Sequence, residues 1–105
     1  MSLIDNLESM LARGQDGALL RYGLGNAYLT NGQLQPAIEH LQKALQFDAH
    51  YSAAWKLLGQ AFATAGHTQQ AMDTYESGIA NAEAKGDLQA AKEMKVFLRR
   101  LRKDR

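Results

Sequence analysis

The sequence contains no cysteine, only one proline and no long apolar run. Without cysteine, a disulfide framework, a thiolate zinc site, an iron–sulfur cluster and a cysteine nucleophile are all excluded. The first residues have neither a basic start nor an uninterrupted apolar stretch, so they do not resemble a secretory signal. No segment approaches the roughly 18 apolar residues that cross a bilayer. We therefore expect a soluble, cytoplasmic protein.

Neither sign of charge is in large excess, since the 105 residues carry a net charge of only +1. The charges are, however, unevenly distributed along the chain. Residues 92–105 have seven basic and two acidic side chains, a net of +5, whereas the five basic and nine acidic side chains of residues 1–91 give −4. The candidate basic patch in this segment comprises Arg99, Arg100, Arg102 and Lys103, with Arg105 beyond them.

Such a patch could contact phosphates or an acidic partner through charge alone. Cations near the C-terminus of a helix also favour the helix macrodipole and keep that end solvated. We prefer this second interpretation, because Phe97 fits a core position and no other aromatic residue alternates with the charges to stack on bases. The pattern therefore argues against nucleic acid as a partner.

The most informative positive feature is an internal repeat of 34 residues. Identical residues coincide after this shift in the pairs Leu24/Leu58, Gly25/Gly59, Ala27/Ala61, Thr30/Thr64, Gly32/Gly66, Gln35/Gln69 and Ala37/Ala71. Each unit has two runs of apolar residues at helical spacing. Gly32 and Gly66 would end the first helix of each unit, because glycine readily adopts the left-handed conformation that closes a last turn. Gly25 and Gly59 lower helix propensity, so we interpret them as points of close helix–helix approach.

The repeat has a recognisable motif. In the second unit it is Trp55-x-x-Leu58-Gly59-x-x-Phe62 and then Ala71-x-x-x-Tyr75, and in the first it is Leu24-Gly25-x-x-Tyr28 and then Ala37-x-x-x-Leu41. These motifs resemble the tetratricopeptide repeat family. The sequence departs from the family pattern at Arg21, where an aromatic residue is common, and at Ala49 and Glu83, where proline is preferred. The resemblance implies an all-α solenoid of tandem helix-turn-helix repeats with a right-handed superhelical twist.

We predict one domain, residues 1–105, built from six helices. Residues 2–13 would be the second helix of a truncated repeat, opened by a motif from Ser2 to Asp5 that resembles a capping box. Residues 18–47 and 52–84 would form the first and second repeats. Residues 87–103 would form a capping helix that covers the apolar end of the array. The register of this last helix stays open, because the turn at Gly86 is typical of one inside a repeat.

The family resemblance implies that the first helices of the repeats line a concave surface that binds a peptide or helix of a partner protein. The candidate partner-binding residues are Leu19, Tyr22, Asn26, Leu29, Lys56, Gln60 and Thr64. Amide side chains can hydrogen-bond a peptide backbone, and Lys56 could meet a carboxylate. An equally weighted interpretation is that the first helix or the loop at residues 50–51 covers the apolar members of this set. One family subtype clamps chaperone C-termini, but only Asn26 matches its pattern, so we do not expect that activity.

Nothing in the sequence supports catalysis, and we predict no cofactor and no metal. His40, His50 and His67 lack the short spacing of a helical metal site, the glycines form no phosphate-binding loop, and no motif activates a serine. We therefore interpret the chain as a non-catalytic scaffold or adaptor. The alternative is a self-assembling structural module, since a small repeat array could gain stability as a homodimer.

Overall fold

The computed structural model describes residues 2–104, which form six consecutive α-helices and no strand. The helices are α1 (Leu3–Ala12), α2 (Ala18–Thr30), α3 (Leu34–Phe47), α4 (Ser52–Thr64), α5 (Thr68–Lys85) and α6 (Leu88–Lys103). Each helix packs against the next one, and α4 also touches both α2 and α6. The result is an elongated body of 42 × 29 × 17 Å, and the predicted all-α solenoid is confirmed.

Tight turns with a left-handed glycine separate most of the helices. Gly66, with φ +82°, ends α4, and the next amide donates to the carbonyl of Phe62 at 2.9 Å. Gly86, with φ +87°, ends α5 in the same way, with the amide of Asp87 donating to Ala82 at 2.8 Å. The Asp87 side chain then caps α6 by accepting from the amide of Ala90. The turn before α6 is therefore of the type found inside a repeat, as its sequence indicates.

The core consists of two hydrophobic clusters. One lies between α3 and α4 and includes Leu41 and Leu58, and the other lies between α5 and α6 and includes Tyr75 and Met94. Glycine permits α2 to approach α3, because a Cβ at Gly25 would come within 2.5 Å of Leu41 Cγ. Gly59 presses on Tyr75 in the equivalent place. The predicted close approach at both glycines is confirmed.

A polar network joins α1 to the first repeat. The hydroxyl of Tyr28 donates to the Glu8 carboxylate, and this bond raises the pKa of Tyr28 to about 12. Tyr28 also stacks on His40, with ring centroids 5.5 Å apart. Arg21, which replaces the aromatic residue common in the family, donates to His40 Nδ1 at 3.1 Å and pairs with Asp16 at 2.7 Å. Glu8 thus gives α1 a polar contact with the first repeat, and no residue of α1 is fully buried.

Candidate partner-binding surface

The helices α2, α4 and α6 form one layer, and shallow depressions run between them. The depression between α2 and α4 has a volume of about 380 Å³. It is lined by Asn26, Leu29, Thr30, Gly32, Leu34, Leu57, Gln60 and Thr64. Four of the candidate residues predicted from the sequence therefore come together here. The amide and hydroxyl side chains of Asn26, Gln60 and Thr64 are exposed, whereas Leu29 is half-buried.

A second depression, of about 240 Å³, continues the first toward α6. Its lining consists of Tyr22, Ala53, Lys56, Leu57, Gln60 and Phe97. Gln60 and Leu57 line both depressions, so the two form one continuous surface. Sequence reasoning missed Leu57. It placed Phe97 in the core, and Phe97 does pack against the cluster between α5 and α6, with its ring centroid 5.7 Å from that of Tyr75, but it also lines this depression. The available signal for Phe97 was its position as an aromatic residue among the charges of the last helix.

Tyr22 and Leu29 both line this surface and contribute to packing. The ring of Tyr22 stacks on Tyr51, with centroids 5.0 Å apart and planes 25° apart. Both Tyr22 and Leu29 also pack against the cluster between α3 and α4. Burial raises the pKa of Tyr51 above its ordinary value. The loop at residues 50–51 therefore covers part of Tyr22, and the remainder of its ring is available at the surface.

Lys56 already has a carboxylate partner within the chain. Its Nζ donates to Glu93 Oε1 at 2.5 Å, and Gln89 donates to the other Glu93 oxygen at 3.2 Å. The bond from Lys56, supported by the one from Gln89, lowers the pKa of Glu93. The pair links α4 to α6 and neutralises the charge on this part of the surface. A partner carboxylate would have to compete with Glu93 for Lys56.

Leu19 lies apart from most of the other candidates. Its side chain is 76% exposed at the edge of a larger groove, of about 710 Å³, between α1 and α2. Asn26 lines this groove as well as the depression between α2 and α4. The sequence pattern groups Leu19 with Tyr22 because both lie on the same helix, but the path of α1 places Leu19 at the N-terminal end of the array.

The predicted basic patch lies near the end of α6. Arg99, Arg100, Arg102 and Lys103 are all exposed, and Arg102 pairs with Glu76 at 3.5 Å. Arg105 lies outside the described residues. Three cations fall in the last turn of α6, where they favour the helix macrodipole. The placement is compatible with the solvated helix end that we prefer from the sequence.

A metal site and a membrane span are both missing from residues 2–104. This part of the chain holds no group of three or more histidine, aspartate or glutamate side chains arranged to bind a metal ion. Within the same range, every helix is too short or too polar to cross a bilayer.

Comparison with known proteins identifies the family. The family model described as tetratricopeptide repeat matches residues 18–51 of this chain. The structure resembles the solution structure of protein BPP2914 from Bordetella parapertussis, with a TM-score of 0.87 and 44% identity over 99% of this chain and 90% of that one. A tetratricopeptide repeat domain protein from Salinibacter ruber shares the fold, with a TM-score of 0.75 and 23% identity over 80% of this chain and 85% of that one. The TPR repeat-containing protein PA0015 of Pseudomonas aeruginosa is 52% identical over 94% of each chain. The chain belongs to the tetratricopeptide repeat family.

Proposed function

We propose that this protein is a non-catalytic adaptor that holds a peptide or helix of a partner protein on the surface formed by α2, α4 and α6. The family is generally one of protein–protein interaction scaffolds. The observation that carries the proposal for this chain is the continuous pair of depressions that share Leu57 and Gln60. Six of the seven residues chosen from the sequence line it.

The chemistry of this surface suits an uncharged segment with apolar side chains. Leu29, Leu57 and Phe97 supply apolar contacts, while Asn26 and Gln60 offer amide groups that can donate to and accept from a peptide backbone. The charge of Lys56 is neutralised by Glu93. Peptide recognition commonly combines main-chain hydrogen bonds for affinity with side-chain contacts for specificity. We therefore favour a largely neutral partner segment.

The test is selection of binding peptides from a random library on the immobilised protein, followed by affinity measurements with variants. The double variant Asn26→Ala with Gln60→Ala removes two exposed amides from the surface, so folding should be unaffected. We expect the selected peptides to lose at least about tenfold in affinity, equivalent to about 1.4 kcal/mol.

Gln42→Ala is the matched control, since Gln42 is an exposed amide on α3, outside both depressions. This variant should bind the peptides as the wild type does. If the selected peptides bind the double variant with unchanged affinity, the partner segment does not lie on this surface and the proposed site is wrong.

A further inference from the structure

The apolar groove between α1 and α2 is a second surface, at the N-terminal end of the array. Its floor and walls are mainly aliphatic, and both Leu3, at 62%, and Leu19, at 76%, are strongly exposed on its rim. Its volume of about 710 Å³ exceeds that of either depression on the first surface. Large exposed apolar patches on small proteins mark interaction sites.

The repeat shows what normally fills such a groove. In the first repeat, α2 packs against both α3 and α4, and in the second, α4 packs against both α5 and α6. By the 34-residue shift, α1 corresponds to α3 and α5. The angle between α1 and α2 is thus equivalent to the angle between α3 and α4, which holds α2, and to the angle between α5 and α6, which holds α4. Among residues 2–104, no helix lies in the angle between α1 and α2.

Residues of α1 are more exposed than the residues that correspond to them on α3 and α5, because no helix lies in the angle between α1 and α2. Leu3 corresponds to Ala37 and Ala71, both 0% exposed, although Leu3 itself is 62% exposed. Leu7 corresponds to Leu41, which is fully buried, yet Leu7 is only half-buried. Gly25 of α2 lies directly against Leu41, which is 0% exposed. Nothing in the described chain covers Leu7 in the same manner.

Gly23 adds a second feature to the groove. The equivalent residue on α4 is Leu57, whose side chain lines the depression between α2 and α4 and packs against the cluster between α3 and α4. Gly23 has no side chain, and a Cβ built there would meet only Leu7 Cδ1, at 3.7 Å. The groove is therefore deep at Gly23, and the missing volume is room for a side chain supplied by another helix.

We propose that this groove binds an amphipathic helix of a partner polypeptide, with a glycine or alanine over Leu7 and a larger apolar residue over Gly23. The small residue takes the place that Gly25 and Gly59 take over Leu41 and Tyr75. A helix of about 13 residues is about 20 Å long, which matches the length of α2. The docked helix would take the place against α1 and α2 that α2 takes against α3 and α4. The proposal does not rest on the proposed function of the α2–α4–α6 surface, although Asn26 lines both places.

A second copy of this chain does not fit the groove. Its α2 and α4 helices are already packed within their own repeats. Its α6 exposes Lys92, Lys95 and Arg99 along the outer face, and inserting these charges into an aliphatic groove would carry a desolvation cost.

The test uses a synthetic peptide of residues 51–67, which carries the α4 sequence with its glycine, as a model of the partner helix. The peptide is titrated into the 15N-labelled protein, and amide shifts are followed by NMR. We expect saturable shifts confined to α1, to the loop at residues 15–17 and to the part of α2 that lines the groove. A peptide with Gly59→Lys places a long charged side chain over Leu7 and should bind at least about tenfold more weakly.

Variants of the protein separate docking from folding. Leu19→Gln alters a side chain that is already solvated, so it should keep the thermal midpoint and weaken peptide binding. Gly23→Leu should block the groove. Leu88→Gln is the matched control, because Leu88 is 69% exposed at the opposite end of the array; it should bind the peptide normally.

Several results would overturn the proposal. One is the absence of amide shifts at millimolar peptide. Another is binding of the Gly59→Lys peptide with the same affinity as the unmodified peptide. A third is a set of shifts confined to α3, α5 and α6, because these would mean that the peptide displaces α4. Sedimentation that shows a dimer of the free protein, abolished by Leu19→Gln, would make a second copy the occupant and would also refute the assignment to a partner helix.

Discussion

A methyl group added at Gly25 should destabilise the protein, whereas the same methyl group added at Gly23 should stabilise it. The two glycines lie two residues apart in the interior of the same helix, α2, so their helical backbone environment is comparable. Replacing glycine with alanine inside a helix gains about 1 kcal/mol of helix propensity at either position. Any difference between Gly25→Ala and Gly23→Ala therefore reports the surroundings of the added methyl group.

Those surroundings differ sharply. At Gly25 the new Cβ would lie 2.5 Å from Cγ and 2.6 Å from Cδ2 of Leu41, which is 0% exposed and has no free space to move into. Overpacking of this kind costs about 1–3 kcal/mol. At Gly23 the nearest atom is Leu7 Cδ1 at 3.7 Å, an ordinary van der Waals distance. We expect Gly23→Ala to gain about 0.5–1 kcal/mol and Gly25→Ala to be less stable than it by about 1–3 kcal/mol.

Thermal unfolding followed by circular dichroism measures the difference. For a domain of this size, 1 kcal/mol corresponds to roughly 4–8 °C in Tm, so the two variants should differ by at least about 4 °C. Chemical denaturation should rank the wild type and both variants in the same order. If Gly25→Ala proves as stable as Gly23→Ala, the approach of α2 to α3 does not require a glycine, and the packing argument used for the N-terminal groove fails with it.

Three further predictions concern the polar network and the core. Burial lowers the pKa of His40 below its usual 6.5, so below that pH the unfolded chain binds more protons than the folded protein does. Tm should therefore decrease as the pH falls below 6.5, and the decrease should be smaller in His40→Gln. Burial raises the pKa of Tyr75 to about 12, so the folded state retains a proton that the unfolded chain loses near pH 10; stability should fall between pH 10 and 12, and less so in Tyr75→Phe. Tyr28→Phe removes the hydrogen bond to Glu8 and should cost about 1 kcal/mol, with hydrogen exchange accelerated in α1; unchanged exchange there would show that the bond does not hold the helix.

Much of the fold could be predicted from the sequence because helix periodicity is a local property. The 34-residue repeat, the glycines that close helices and the cap at Ser2 can each be read from spacing along the chain, and the structure confirms all three. The assignment of Gly25 and Gly59 to close approaches also follows locally, since a glycine inside a helix costs propensity that only packing can offset.

The candidate site was less accessible to the same reasoning. Helical phase indicates which side chains share a face of α2, but Leu19 and Tyr22 share that face and still meet different neighbours. The pairing of Lys56 with Glu93 joins residues 37 positions apart, and no local pattern relates them. The register of α6, which the sequence leaves open, decides that pairing.

The sequence by itself thus determined the helices, their order and the family, because these depend on spacing along the chain. Only the tertiary structure decided that Glu8 of α1 meets Tyr28, that Lys56 is neutralised by Glu93, and that the angle between α1 and α2 holds no helix of the described chain. The physical reason is that the angles and distances between helices arise from the packing of all their side chains together, so a contact across helices depends on parts of the chain that no local pattern contains.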